Sequence, residues 1–210
     1  MIINLLCTLL FILGVYHLVR YRLNLKKAAE LSKSSLFPLE EDEFRSILIP
    51  AEWKEMEPIK KSSRSYQFVK WGTVAALILL TLLLWIVITT DLLGTSFFSF
   101  AYLFFVIISA VKHRGNLFIL PNGIILNGRY FFAPSIKSYE IEKIIRWHEL
   151  YGLHPRVDNA YKLTLNVKGN LFHNNYVVVD DPAHLIKIID LLEQQGIPRG
   201  ENFLDEKELG

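Results

Sequence analysis

The chain has 210 residues, 51% of them hydrophobic, and its 23 Lys and Arg against 21 Asp and Glu leave a formal net charge of +2. That length admits one or two domains, and so small a basic excess, with no basic stripe interleaved with aromatics, argues against a nucleic-acid partner. The single cysteine, Cys7, excludes an intramolecular disulfide.

The apolar residues are unevenly placed. Residues 2–19, 71–90 and 94–111 each run without a charged side chain. At 1.5 Å per residue each run reaches roughly 27–30 Å, close to the ~30 Å hydrocarbon core of a bilayer. Three transmembrane helices are therefore predicted: a first one over residues 1–19, and a hairpin over 68–112 with spans at about 71–90 and 94–111. The first run is read as an uncleaved anchor. No Lys or Arg precedes it, and it ends Val15-Tyr16-His17-Leu18-Val19 rather than on the small residues of a cleavage site. Leu6 is too large, and Cys7 too near the start, for a lipoprotein motif. The alternative is two spans with a peripheral or cleaved first segment.

Basic residues set the orientation. Arg20, Arg22, Lys26 and Lys27 follow the first span; Lys60, Lys61, Arg64 and Lys70 precede the second; Lys112 and Arg114 follow the third. The connection DLLGTS, residues 91–96, has none. A multi-pass protein of the cell membrane is predicted, with its N-terminus outside and its C-terminal part cytoplasmic. The bilayer is its first partner, and the basic clusters beside the spans suit anionic head groups. Trp71, Trp85, Tyr16 and Tyr102 fit interfacial belts. The hairpin carries no interior charge, and the first span holds one histidine, His17, and no Asp, Glu, Lys or Arg, which argues against a pump or channel made by this chain alone.

Residues 20–67 read as a cytoplasmic helical linker. YRLNLKKAAELSK extends the first helix until Pro38 breaks it. In PLEEDEFRSILIP a short helix is predicted between Pro38 and Pro50, with Phe44, Ile47 and Leu48 on one face. Trp53 and Met56 continue that apolar surface, which packs on the C-terminal domain or shields the span ends; a membrane- or partner-binding element is the other reading.

Residues 113–200 change character. NLFIL, GIIL, YFF, EKIIRWHEL, YKLTLNV and NYVVVD are short β-type runs separated by Asn, Gly and Pro, the pattern of an antiparallel meander. Two Asn-Gly pairs, Asn122-Gly123 and Asn127-Gly128, mark reversals, the second a hairpin turn or a bulge. SYEIE, residues 138–142, is read as a turn before the next strand, residues 152–159 as a polar loop, and Lys168-Gly169-Asn170 as another turn. The last helix has Asp181 as N-cap, Pro182 at its first position, a stripe of Leu185, Ile188, Ile189 and Leu192, and Gly196 as its stop. Residues 201–210 form a polar tail, expected to fray.

This order resembles the bacterial pleckstrin-homology-like (PH-like) membrane proteins. The features that carry the resemblance are the hairpin over 71–111, the PNGIIL strand pair, the SYEIEKI turn and strand, and the closing HLIKIIDLLEQQGIP helix, together covering roughly residues 70–200. Tyr139 stands where many relatives have Trp, and the first span and residues 20–67 are additions. The resemblance implies a cytoplasmic α+β domain, an antiparallel β half-barrel closed by the C-terminal helix; it implies no ligand, since fold does not fix function.

No Ser/His/Asp signature, G-x-S-x-G, H-E-x-x-H, P-loop or G-x-G-x-x-G occurs. Of the six histidines, His148 and His154 with Asp158 have only loose metal-ligand spacing, so no metal, cofactor or catalytic residue is assigned. Asp180-Asp181 is read as a helix cap rather than an acid–base pair. The most site-like patch is RWHELYGLHPR, where Arg146, Trp147, Tyr151 and Arg156 are candidates for contacting a phosphate or an acidic partner. The expected function is a non-enzymatic, membrane-anchored module that holds a protein or peptide at the inner membrane face, in an oligomeric state left open. The alternatives are a bacteriocin-immunity or envelope-stress protein, as some small PH-like membrane proteins resemble, and a membrane enzyme acting on lipid or peptide.

Overall fold

Uncharged runs rich in Leu, Ile and Val give a helix no polar face to offer to water, whereas short β-branched runs punctuated by Asn and Gly favour strands. Both patterns appear in the computed structural model, which describes residues 2–50, 52–89, 93–111, 116–168 and 175–203. In chain order the elements are α1 (Ile2–Leu31), α2 (Glu41–Arg45), β1 (Ile47–Leu48), α3 (Arg64–Thr89), α4 (Leu93–Ala110), β2 (Leu117–Leu120), β3 (Gly123–Leu126), β4 (Arg129–Phe132), β5 (Ile136–Lys143), β6 (Tyr161–Val167), β7 (Tyr176–Val179), α5 (Pro182–Gln194) and β8 (Arg199–Phe203). They form two units: Met1–Lys26 with Lys60–His113, and Lys27–Ile59 with Arg114–Gly210.

In the first unit α1, α3 and α4 pack on one another. Gly14 of α1 faces Ile108 of α4 and Leu80 of α3, so closely that an added Cβ would lie 2.7 Å from the Ile108 Cδ1. Cys7 and Val87 are buried together beside Phe100. The opposite faces are apolar as well: Leu9, Leu13, Ile78, Leu79, Trp85, Tyr102 and Phe105 are exposed. The hydroxyls of Thr73, Thr81 and Thr89 donate to the carbonyls of Val69, Leu77 and Trp85 at 2.6–2.8 Å, so these polar groups are satisfied inside α3. Leu5–Ser34 and Tyr66–Thr89 are long and apolar enough to cross a membrane, and Ser99–Ala110 is a shorter apolar helix.

The second unit contains two sheets. Strands β2, β3 and β4 form an antiparallel sheet, and the other has the order β1-β7-β6-β5-β8. The latter is mixed, because β8 runs parallel to β5 while the remaining pairs are antiparallel. Asn127 (φ 52°) and Gly128 (φ 70°) form the β3–β4 turn, as a type I′ hairpin requires. The β2–β3 turn is one residue earlier than the Asn-Gly pair suggests: Leu120 pairs with Gly123, so Pro121 and Asn122 make the turn. Gly123 is needed for another reason, since a Cβ there would collide with the Phe131 carbonyl oxygen. Leu185, Ile188, Ile189 and Leu192 of α5 are buried, Asp181 Oδ1 accepts the Ala183 N–H at 2.8 Å, and Gly196 ends the helix at φ 69°.

The segment Lys27–Ile59 belongs to this unit. Leu36 N–H donates to the Ile119 carbonyl at 2.7 Å, and Ile119 N–H donates to the Phe37 carbonyl at 2.8 Å. Ile47 and Leu48 pair with Val179 and Val178 of β7. Phe37, Ile47 and Leu48 are fully buried. The helix expected across Phe44, Ile47 and Leu48 therefore stops at Arg45, and the two aliphatic residues become a strand because β7 offers them a buried edge. Two further expectations change. Residues 138–142 lie in β5 rather than in a turn, with Tyr139 and Ile141 facing in, and residues 144–151 leave the sheet instead of forming a strand. Residues 199–203 form β8, so the first three residues of the tail expected to fray belong to a strand, in which Gly200 fits against the Glu140 side chain. Asp91, Lys112, Arg114, the turn residues Gly169 and Asn170, and the tail beyond Phe203 lie outside the described residues.

Candidate functional site

After Lys143 the chain makes an excursion and returns at β6. Its base is closed by two backbone hydrogen bonds: Ile144 N–H donates to the Ala160 carbonyl at 2.8 Å, and Asn159 N–H to the Ile144 carbonyl at 2.9 Å. Ile144, Leu150, Val157 and Ala160 are buried in one cluster with Leu48 and Val178, with Trp53 and Tyr176 against it. The excursion is thus packed by its own side chains, as compact Ω-loops are.

Several of its polar groups have partners within the unit. His148 Nδ1 accepts the Leu150 N–H at 3.0 Å, which places the ring proton on Nε2, 3.2 Å from Glu142 Oε2. His154 Nδ1 accepts the Arg156 N–H at 3.2 Å, and Asp158 Oδ1 accepts the Gly152 N–H at 2.7 Å. Lys162 pairs with Glu149 at 3.1 Å, and its hydrogen bond and charge hold that carboxyl below the usual range. Its apolar groups turn outward: Ile145, Tyr151 and Leu153 are exposed, and Trp147 is 91% exposed.

The four sequence candidates therefore divide. Arg146, Trp147 and Tyr151 stand on the exposed part of the excursion. Arg156 is a structural tie. Its guanidinium donates to Asp180 at 2.6 and 2.9 Å, to Glu55 at 2.7 Å and to the Arg45 carbonyl at 2.8 Å. Burial works to lower its pKa, but the Asp180 and Glu55 carboxylates outweigh it and raise the value. The same contacts separate the roles of the two aspartates: Asp180 holds Arg156, and Asp181 caps α5. Sequence reasoning missed Ile145, placed in a strand, and Leu153, placed in a polar loop. The available signal was the dense turn punctuation of Gly152 and Pro155, which limits how many apolar neighbours the excursion can bury.

A second polar cluster fastens α5 to the sheet. The buried Tyr139 donates its hydroxyl to Glu193 Oε1 at 3.0 Å, and Arg199 Nε donates to the same oxygen at 2.7 Å. Burial, then the Glu193 hydrogen bond and charge, push the Tyr139 phenol up to about 12. Among the described residues no group of three or more His, Cys, Asp and Glu can hold a metal ion. What the exposed excursion offers chemically is contact: four large apolar side chains and the Arg146 guanidinium on a fixed frame. Compared with protein-family models, curated proteins and solved structures, the chain finds no match in any of the three.

Proposed function

We propose that the chain is a multi-pass membrane protein whose sheet unit serves, without catalysis, as a PH-like interaction module at the cytoplasmic membrane face. The observation that carries this reading is the joining, in one chain, of two helices long and apolar enough to cross a membrane with a separate unit of mixed sheet. Helix α4 is taken as the third span; its packing on α1 and α3 around Gly14 supports that. The PH-like reading is supported by a three-stranded antiparallel sheet, then the antiparallel run β5-β6-β7, then a helix with one buried face. The orientation rests on the basic residues beside the spans. The partner is a protein or peptide segment. Support comes from β4, an edge strand of Arg129, Tyr130, Phe131 and Phe132 that pairs only with β3 among the described residues, an arrangement that can accept an added strand.

Two measurements test this. In a Cys7→Ser background, an impermeant maleimide is expected to label Asp91→Cys on intact cells and Asp190→Cys, on the exposed side of α5, only after permeabilisation; labelling of both from one side overturns the topology. A photo-crosslinking residue at Phe132 is expected to capture a discrete partner in native membranes. Its failure there, with the same residue at Asp190 as background, counts against the β4 docking edge.

A further inference from the structure

We infer that the tip of the β5–β6 excursion, formed by Ile145, Trp147, Tyr151 and Leu153 with Arg146, inserts into the interface of an anionic lipid bilayer. This inference rests on the membrane-anchored reading and adds a second attachment to it, made by the sheet unit rather than by the apolar helices.

The distribution of side chains carries the argument. A loop facing water buries its apolar residues and exposes its polar ones. Here the histidines, Glu149 and Asp158 have partners within the unit, while Trp147 and its apolar neighbours face outward. Trp and Tyr are the residues whose apolar rings and polar edges suit the boundary between head groups and acyl chains, and Ile and Leu suit the layer just below it. The two acidic side chains of the excursion have partners, exposed Glu149 in Lys162 and Asp158 in the Gly152 N–H, whereas Arg146 is exposed and has no ion pair among the described residues, so the unpaired charge at the tip is cationic. That complements anionic head groups. The frame is fixed by its base hydrogen bonds and by the buried Leu150 and Val157, so insertion orders little that is not already ordered.

The test uses the full chain with Cys7→Ser, reconstituted in nanodiscs of phosphatidylcholine and phosphatidylglycerol. Single cysteines at Leu153, at Asp190 on the exposed side of α5 and at Leu79 on α3 carry a small environment-sensitive fluorophore. The Leu153 and Leu79 labels are expected to be quenched by nitroxide-bearing lipids and shielded from iodide, and the Asp190 label the reverse. Arg146→Gln is expected to lower the inserted-to-free ratio at Leu153 about fivefold, and pure phosphatidylcholine discs to weaken insertion likewise. Iodide quenching at Leu153 equal to that at Asp190, with Leu79 still in lipid, overturns the inference and leaves the anchored reading standing. Shielding of Leu153 in native membranes but not in nanodiscs overturns it in favour of a protein partner. Absence of lipid quenching at Leu79 overturns the anchored reading and this inference with it.

Discussion

Glu43 and Tyr139 are buried ionisable side chains whose partners bias them in opposite directions. Burial works to raise the Glu43 carboxyl, but the Leu39 N–H at 2.6 Å, Lys187 Nζ at 2.5 Å and the Glu40 N–H outweigh it and hold the pKa below 4.5. A folded pKa below the unfolded one means that the contribution is complete above the unfolded value and is lost as pH falls through the folded one. Acid unfolding of the sheet unit, followed by hydrogen exchange below about pH 4.5, is therefore expected to lose part of its pH dependence in Glu43→Gln. With Lys187 half exposed, that variant is expected to cost about 1–2 kcal/mol at neutral pH. Tyr139 works the other way. Its phenol is raised from 10 to about 12, so its contribution is complete below pH 10 and is lost as pH rises toward 12. Tyr139→Phe is expected to cost about 1 kcal/mol at neutral pH and to flatten the alkaline limb of the unfolding curve.

At the scale of elements, each boundary follows from a specific steric or capping requirement. Asp181→Ala removes the side-chain acceptor at the start of α5 and is expected to cost about 1 kcal/mol, read as faster exchange in the first turn. Gly123→Ala drives a methyl group into the Phe131 carbonyl oxygen and is expected to break the β3–β4 pairing, at about 2–3 kcal/mol, visible as lost protection at Phe131. Helix α5 was legible in the sequence because cap, proline, stripe and terminal glycine all name the same boundaries. The turn at Asn127-Gly128 was legible because both φ angles are positive. The Asn122-Gly123 pair misled by one residue because its glycine answers a close backbone approach rather than a turn. For β5, the alternation of Tyr139 and Ile141 with Ser138, Glu140 and Glu142 was present in the sequence, and no Asn, Gly or Pro within it supports the turn. Strands β1 and β8 were not legible, since their partners lie far along the chain and no local pattern reports them. Of the candidate site, Trp147 and Tyr151 were named from the sequence, but Trp147 was placed in the strand run EKIIRWHEL; its exposure and the engagement of Arg156 by Glu55, Asp180 and the Arg45 carbonyl depend on contacts across the fold.

Within the sheet unit as a whole, Lys27–Ile59 touches both sheets: Leu36 and Phe37 pair with Ile119 of β2, and Ile47 and Leu48 with β7. Phe44 meets Phe118 edge-on, and the Leu117 N–H points to the Met56 sulfur at 3.2 Å. Phe37→Ala, in a fully buried position, is expected to cost about 3–5 kcal/mol and to lower protection in β2 and β7 together, measured by hydrogen exchange on the full chain. A loss confined to β2 would show that the segment does not couple the two sheets. The same pairing sets a timetable for biosynthesis. Ile47 leaves the ribosome long before Val179, its partner, exists. At about 5–20 residues per second the interval is on the order of ten seconds, during which α3 and α4 are also made. Ile47 and Leu48 pass that time without their β7 partners, so the newborn chain has a dated need for protection, by a chaperone or by the bilayer surface, that ends when β7 is complete.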